Sequence, residues 1–133
     1  MVGKAFSSIE TEYEFISVGS RNYDLESWPA TLRMVEMHDP DAIIHLAAKV
    51  GGVKSNMGHK ADFYKENILI NTHVLEAARL HGVNKVLSLL STCIYPDKVI
   101  YPLTEDQIHN GPPHSSNYAY AYAKRMLDVQ SRA

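Results

Sequence analysis

Residues 41–48, DAIIHLAA, form a near-continuous apolar run of strand length, and a strand that is apolar on both faces has to be covered on both. Parallel sheets meet that demand, because the crossover between parallel neighbours lays a helix over the sheet. The flanking sequence supplies the helices. Residues 28–38 read as one, with Ser27 as its cap, Pro29 tolerated in the first turn, Leu32, Met34 and Val35 turned inwards, and Asp39-Pro40 as its stop. Residues 61–81 read as a long amphipathic helix, with Phe63, Ile70, Val74, Leu75 and Ala78 inwards and Gly82 at its end. A second apolar strand, 85–91 (KVLSLLS), follows, and Tyr, Phe, Ile and Val make 13–18 a third candidate. With helices at 1–9 and 117–133, this order predicts an α/β fold built on a doubly wound parallel sheet.

The chemistry concentrates where the 85–91 strand ends and the 117–133 helix begins. Ser91 stands at the strand end, and Tyr120 and Lys124 are four apart on the helix, hence on one face. A hydroxyl, a phenol and an ammonium are what a carbonyl oxygen needs to receive a proton while hydride arrives on its carbon. A free tyrosine, with a pKa of about 10, is a poor acid or base at neutral pH, and a neighbouring cation lowers that value. Of Tyr118, Tyr120 and Tyr122, only Tyr120 has a lysine four residues on. The same helix places Met126, Leu127 and Val129 as apolar positions and Arg125, Asp128 and Arg132 outwards.

The connecting segments say less. Residues 49–60 read as a loop in which Gly51-Gly52 lets the backbone hug a ligand or merely bend. His45 reads as a satisfied core histidine. Asn67 and Asn71, one turn apart on the long helix, either anchor backbone or are wet. His109 and His114 flank Gly-Pro-Pro, which rules out a helix converging them on a metal, and no metal site is expected.

Dinucleotide-binding domains open with a strand and a glycine-rich turn that holds a pyrophosphate at a helix N-terminus. Here residues 1–9 open on a helix, and Val2-Gly3 reads as the tail of such a turn. After the 13–18 strand the tip carries Arg21 and no acid until Asp24, the pattern that favours a 2′-phosphate and hence NADP. The 133 residues make one domain's worth, 45% hydrophobic, with net charge -2 and no basic stripe, so neither nucleic acid nor an anionic membrane is indicated as partner. No apolar run approaches the ~20 residues of a spanning helix, and MVGKAFSSIE lacks a signal peptide's apolar core, so a cytoplasmic setting is expected. The single cysteine, Cys93, excludes an internal disulfide.

Taken together, Ser91 at a strand end and Tyr120-x-x-x-Lys124 after strand, helix, strand resemble the extended, sugar-nucleotide-modifying branch of the short-chain dehydrogenase/reductase superfamily. HLAAKVGGV, STCIYPDK, IHNGPPH and YAYAKRMLDVQSRA carry the likeness along the chain. It implies a Rossmann-like sheet, NADP(H) as cofactor, and a GDP-sugar substrate whose 4-keto-6-deoxy ring is inverted at carbons 3 and 5 and reduced at carbon 4. It also implies a homodimer. Tyr120 would protonate the carbon-4 oxygen, Lys124 would lower the phenol's pKa and bind the nicotinamide ribose, and Ser91 would hold the same oxygen. Cys93 would be a base for epimerisation. The cofactor would lie against Gly3, Arg21, Leu46, Ala47, Ala48, Leu89, Leu90, Ser91, Thr92 and Lys124. Of the family's Gly-x-x-Gly-x-x-Gly cradle only Gly3 is present, and the strand before it and the substrate domain are missing. The expectation is therefore a partial NADP-binding Rossmann domain over 1–133, truncated at both ends. Alternatives are another nucleotide-sugar epimerase or dehydratase, or a non-catalytic Rossmann module.

Overall fold

The computed structural model describes residues 2–6 and 8–133. Met1 and Ser7, both inside the expected first helix, lie outside that range. Helix α1, Val2–Phe6, is shorter than expected and buries none of its residues. Ser8 explains the early end, since its hydroxyl and its amide both donate to the Ala5 carbonyl, at 2.9 and 3.2 Å, closing a turn where the helix would continue.

Residues 13–18 form no strand; Tyr13, Phe15, Ile16 and Val18 are all exposed. A β-prone sequence becomes a strand only through a ladder. Among the described residues, the ladder joins two other segments, β1 (Ala42–His45) and β2 (Lys85–Ser88), in parallel. The α/β architecture is the expected one, on a sheet of two strands rather than three.

Both strands stop short of their apolar runs, for different reasons. After β1 the chain is held by Asn67, whose Oδ1 accepts the Lys49 amide and whose Nδ2 donates to the Lys49 carbonyl, each at 3.0 Å. After β2 one further bond, Leu89 N–H to the His45 carbonyl at 3.4 Å, ends the pairing. Ser91 then turns the backbone into a 3-10 turn, Thr92–Ile94.

Helix α2, Trp28–His38, has the expected bounds, with Thr31, Met34 and Val35 buried. Ser27 stands at its N-cap but makes no side-chain cap bond; Thr31 supplies the local closure, its hydroxyl donating to the Ser27 and Leu25 carbonyls. Residues 49–60 are not a plain loop. Helix α3, Val53–Gly58, forms within them, because the Asn56 amide donates to the carbonyls of Gly51 and Gly52 and so fastens the first turn. Gly51 is required there by space, since a Cβ at this position would meet the Phe63 ring at 2.8 Å.

Helix α4, Lys60–His81, ends on Gly82, whose φ of 73° lets the Val83 amide reach back to the Ala78 carbonyl at 2.9 Å. Helix α5, Tyr118–Arg132, packs along α4, and α2 packs on the other part of α4. Met34, Val35 and Ala77 form the core between α2 and α4, closed by Trp28, Leu32, Ile43 and Val83. Among the described residues, no helix is long and apolar enough to cross a membrane.

The two asparagines of α4 face inwards. Asn67 is 0% exposed and makes a third bond, to the Phe63 carbonyl at 2.7 Å. It therefore splices the chain leaving β1 to α4. Replacing it removes three hydrogen bonds at once, two part-buried ones to Lys49 and a buried one to Phe63, so Asn67→Ala is expected to lower the unfolding free energy by about 1–3 kcal/mol. Asn67→Asp should cost as much, since a carboxylate cannot donate to the Lys49 carbonyl. Urea unfolding of both variants checks this, and a loss under ~0.5 kcal/mol, the range of ordinary surface changes, would refute the splice.

Candidate active site

The parallel register sets His45 opposite Ser88, so the chain leaves β1 and β2 side by side. Leu46, Ala47 and Ala48 follow one strand, and Leu89, Leu90, Ser91 and Thr92 the other. Both segments expected at a cofactor thus emerge at the carboxyl end of the sheet, where α/β proteins hold their ligands. Gly3 joins them, since a Cβ built on it would stand 3.9 Å from Leu46 Cδ1. Arg21 is exposed in a turn whose Gly19 carbonyl accepts the amides of Asn22 and Tyr23. Among the described residues, no hydrogen bond or ion pair ties Arg21 to the strand ends.

Ser91 is the hub. It caps the 3-10 turn in an extended conformation, and its Oγ accepts from the Cys93 amide at 3.4 Å and from the Cys93 thiol at 3.1 Å. Tyr120 lies near this hydroxyl, close enough for the two to interact electrostatically, without a hydrogen bond between them among the described residues. Burial first, and Cys93 second, push the Tyr120 phenol above its ordinary pKa, while Ser91 works against them. The other tyrosines of α5 are engaged elsewhere. Tyr118 lies edge to face with Tyr122 at 6.4 Å and beneath Lys60 at 5.2 Å.

Lys124 is buried, with 3% exposure, and its Nζ donates to the Leu89 carbonyl at 2.9 Å. Burial pushes its pKa below the ordinary value, with Cys93 acting in the opposite sense. The expectation that Lys124 lowers the pKa of Tyr120 is not met. The phenol shifts upwards, and the ammonium is committed to the strand-end carbonyl instead. A phenol held neutral beside a hydroxyl is a proton donor in waiting, and the hydroxyl can carry charge on the same acceptor.

Beside Cys93 opens a cavity of about 300 Å³, lined among others by Tyr95, Asp97, Tyr101, His114 and Asn117. Asn117 Oδ1 is buried there without a hydrogen-bond partner among the described residues. Sequence reasoning passed over most of this wall, because it comes from the irregular segment 95–117, where neither periodicity nor a motif marks a face.

Arg125 was also misplaced by sequence reasoning. It is 3% exposed rather than outward, and donates to the carbonyls of Ile94 at 2.6 Å and Gly111 at 2.7 Å. The alternation of alanine with tyrosine just before it was the available signal, since small residues on successive faces let a helix be packed on several sides. Ala119, Ala121 and Ala123 are all buried.

Behind the lysine lies His45, 3% exposed, whose Nε2 must donate to Asn71 Oδ1 at 3.0 Å, an amide oxygen being an acceptor only. Burial first, with the charge of Lys124 assisting, holds its pKa below the ordinary 6.5 against the pull of Asn71.

Residues 6 to 133 match the model of the NAD dependent epimerase/dehydratase family. The chain is 46% identical to a probable GDP-L-fucose synthase of Drosophila melanogaster and 47% identical to a GDP-L-fucose synthase of Dictyostelium discoideum, over 100% of its own length and 43% of theirs. It thus spans less than half the length of these curated relatives. A crystal structure of a GDP-L-fucose synthetase from Naegleria fowleri bound to NADP is similar, with a TM-score of 0.82 and 44% identity, over 90% of this chain and 35% of that one.

The buried histidine gives a pH test. In the unfolded chain it takes a proton near 6.5, whereas in the fold it resists until a lower pH, so it contributes stability above 6.5 that is lost as pH falls through its folded value. As pH falls below 6.5 the unfolding free energy should therefore fall on its account, by at most about 1.4 kcal/mol per pH unit, until the folded value is passed. His45→Gln should flatten that slope in urea unfolding, and an unchanged slope would show that His45 is not held neutral.

Proposed function

The chain belongs to the NAD-dependent epimerase/dehydratase family, and on that premise we propose that it is part of a GDP-L-fucose synthase, which inverts carbons 3 and 5 of GDP-4-keto-6-deoxy-D-mannose and reduces carbon 4 with NADPH. The observation that carries the reading is the Cys93 thiol on the Ser91 hydroxyl at 3.1 Å, with Tyr120 close enough to both to feel them. A thiol, a hydroxyl and a neutral phenol around one point serve both halves of such a reaction.

In epimerisation, a base removes the proton beside the ketone and the electron pair moves onto the carbonyl oxygen as an enolate. Cys93 is the base in this reading, and Ser91 donates to the oxygen that gains charge. Protonation from the opposite face inverts the carbon. In reduction, the same oxygen gains charge as carbon 4 receives hydride, and Tyr120 delivers its proton there. The upward shift makes the phenol a weaker acid than free tyrosine, but the alkoxide left by hydride transfer is a stronger base than a phenolate and can still take its proton. The hydride comes from NADPH when it is bound.

The residues at the strand ends fit a dinucleotide. Gly3 stands close to Leu46 with no side chain between, Ala47 and Ala48 add little bulk, and Lys124 offers a buried cation beside Leu89 for a ribose hydroxyl. Leu89, Leu90, Ser91 and Thr92 would form the opposite wall. Arg21, exposed and uncommitted to the strand ends, is the candidate for the 2′-phosphate. Cytoplasmic location and pairing into a homodimer belong to the same proposal. The pairing surface would be the shared face of α4 and α5, where Lys60, Tyr64, Tyr118, Tyr122 and Met126 border a concavity of about 500 Å³.

The decisive experiment uses a chain extended to the length of its relatives and measures deuterium uptake into the keto sugar without NADPH, then NADPH oxidation with it. Tyr120→Phe should cut oxidation by a factor of about 10² to 10⁴, the usual worth of a positioned acid. Cys93→Ser should slow uptake while oxidation continues, and Ser91→Ala should impair both. Full uptake in Cys93→Ser together with full oxidation in Tyr120→Phe would sink the reading. In the same protein, Arg21→Ala should narrow the preference for NADPH over NADH; an equal loss of affinity for both would remove Arg21 as the phosphate reader.

A further inference from the structure

One buried cation has no part in the chemistry above. Arg125 follows Lys124 on α5, and its guanidinium grips two separate stretches of chain, the Ile94 carbonyl through Nε at 2.6 Å and the Gly111 carbonyl through Nη1 at 2.7 Å. Its Cζ stands over the Tyr122 ring, 5.3 Å from the centroid. The two gripped stretches also meet each other, since Pro96 bridges to Pro113 and the Asp97 amide donates to the Pro112 carbonyl at 2.9 Å. Pro96 and Asp97 of the first stretch, and His114 just after the second, wall the cavity beside Cys93, and Ile94 is the residue that follows the thiol.

The other site residues have their own ties. Lys124 is fixed to Leu89, and Tyr120 rides on a helix whose buried Ala119, Ala121 and Ala123 seat it. The far side of the Cys93 turn hangs on a side chain that does nothing else at the site. Ile94 itself is 2% exposed, so its carbonyl has no ready substitute donor from water.

We propose that Arg125 is a positioning residue for the thiol: by holding the Ile94 and Gly111 carbonyls it keeps Cys93 against the Ser91 hydroxyl, and so governs proton exchange on the substrate far more than hydride transfer. Lysine cannot replace it fully, because an ammonium lacks the rigid fork that meets two carbonyls at once. This rests on the activity proposed above, and one arm of the test stands apart from that activity.

The experiment compares Arg125→Leu and Arg125→Lys with the unsubstituted protein, at the length of its relatives, after circular dichroism has confirmed folding. Arg125→Leu should slow deuterium uptake into the keto sugar by about 10- to 100-fold, the cost of a misplacement near 1 Å, and slow NADPH oxidation with the ketone already inverted at carbons 3 and 5 by less than about threefold. Arg125→Lys should recover uptake partway. Independently of any turnover, iodoacetamide should alkylate Cys93 about tenfold faster in Arg125→Leu, since a freed turn exposes the thiol. Uptake and oxidation falling by one common factor would show a general structural role and overturn the proposal, as would unchanged uptake. If Arg125→Leu does not fold, the same split in Arg125→Lys decides. Should the unsubstituted protein show neither uptake nor oxidation, the activity reading fails by itself, and the alkylation rate alone decides on Arg125: faster supports it, unchanged refutes it.

Discussion

Everything at the site hangs from the parallel pairing of two four-residue strands. With His45 opposite Ser88, the chain leaves both strands at the same end of the sheet. One exit is spliced to α4 by Asn67, and the other is caught by Lys124 at the Leu89 carbonyl. A slip of one residue would turn the side chains of the strand that moved to the opposite face. A slip in β1 would send His45 away from Asn71, and a slip in β2 would carry Ser91 away from its place beside α5. The sheet is small, yet it fixes the origin from which the site is measured.

How much of this was legible depended on whether a signal was local. Helix α2 was read residue for residue, because its stop at Asp39-Pro40 and its proline in the first turn are backbone effects carried by those residues. Ser91, Tyr120 and Lys124 stood out through a strand end, a four-residue spacing and a family likeness taken together; the structure sets Ser91 against Cys93 and Lys124 beside Leu89. Residues 13–18 failed as a strand for the opposite reason, since β propensity describes a surface that suits a sheet, and a ladder depends on residues distant in sequence. Arg125 failed likewise, because no local rule says that two carbonyls from separate loops will converge on a helix position.

The electrostatics show the same contrast. A Tyr-x-x-x-Lys spacing predicts attraction between the lysine and a phenolate, but the net effect turns on which group each charge meets first. Here the ammonium meets a carbonyl and the phenol is taken out of water near Ser91 and Cys93, so desolvation governs both groups and moves their pKa values in opposite directions. The two asparagines of α4, by contrast, were an open question in the sequence and became the main polar fastenings of the interior.

The close approach at Gly51 matters to anyone who wants to alter the segment that includes α3. Gly51 has the Phe63 ring 2.8 Å from where a Cβ would stand, whereas at Gly52 and Gly58 a Cβ would meet nothing within 4 Å. A fluorophore, spin label or cross-linker can therefore be attached through Gly58 without disturbing the packing beneath. At Gly51 even a methyl group would push the aromatic ring out of its seat, so the segment has a handle at one end and a fulcrum at the other.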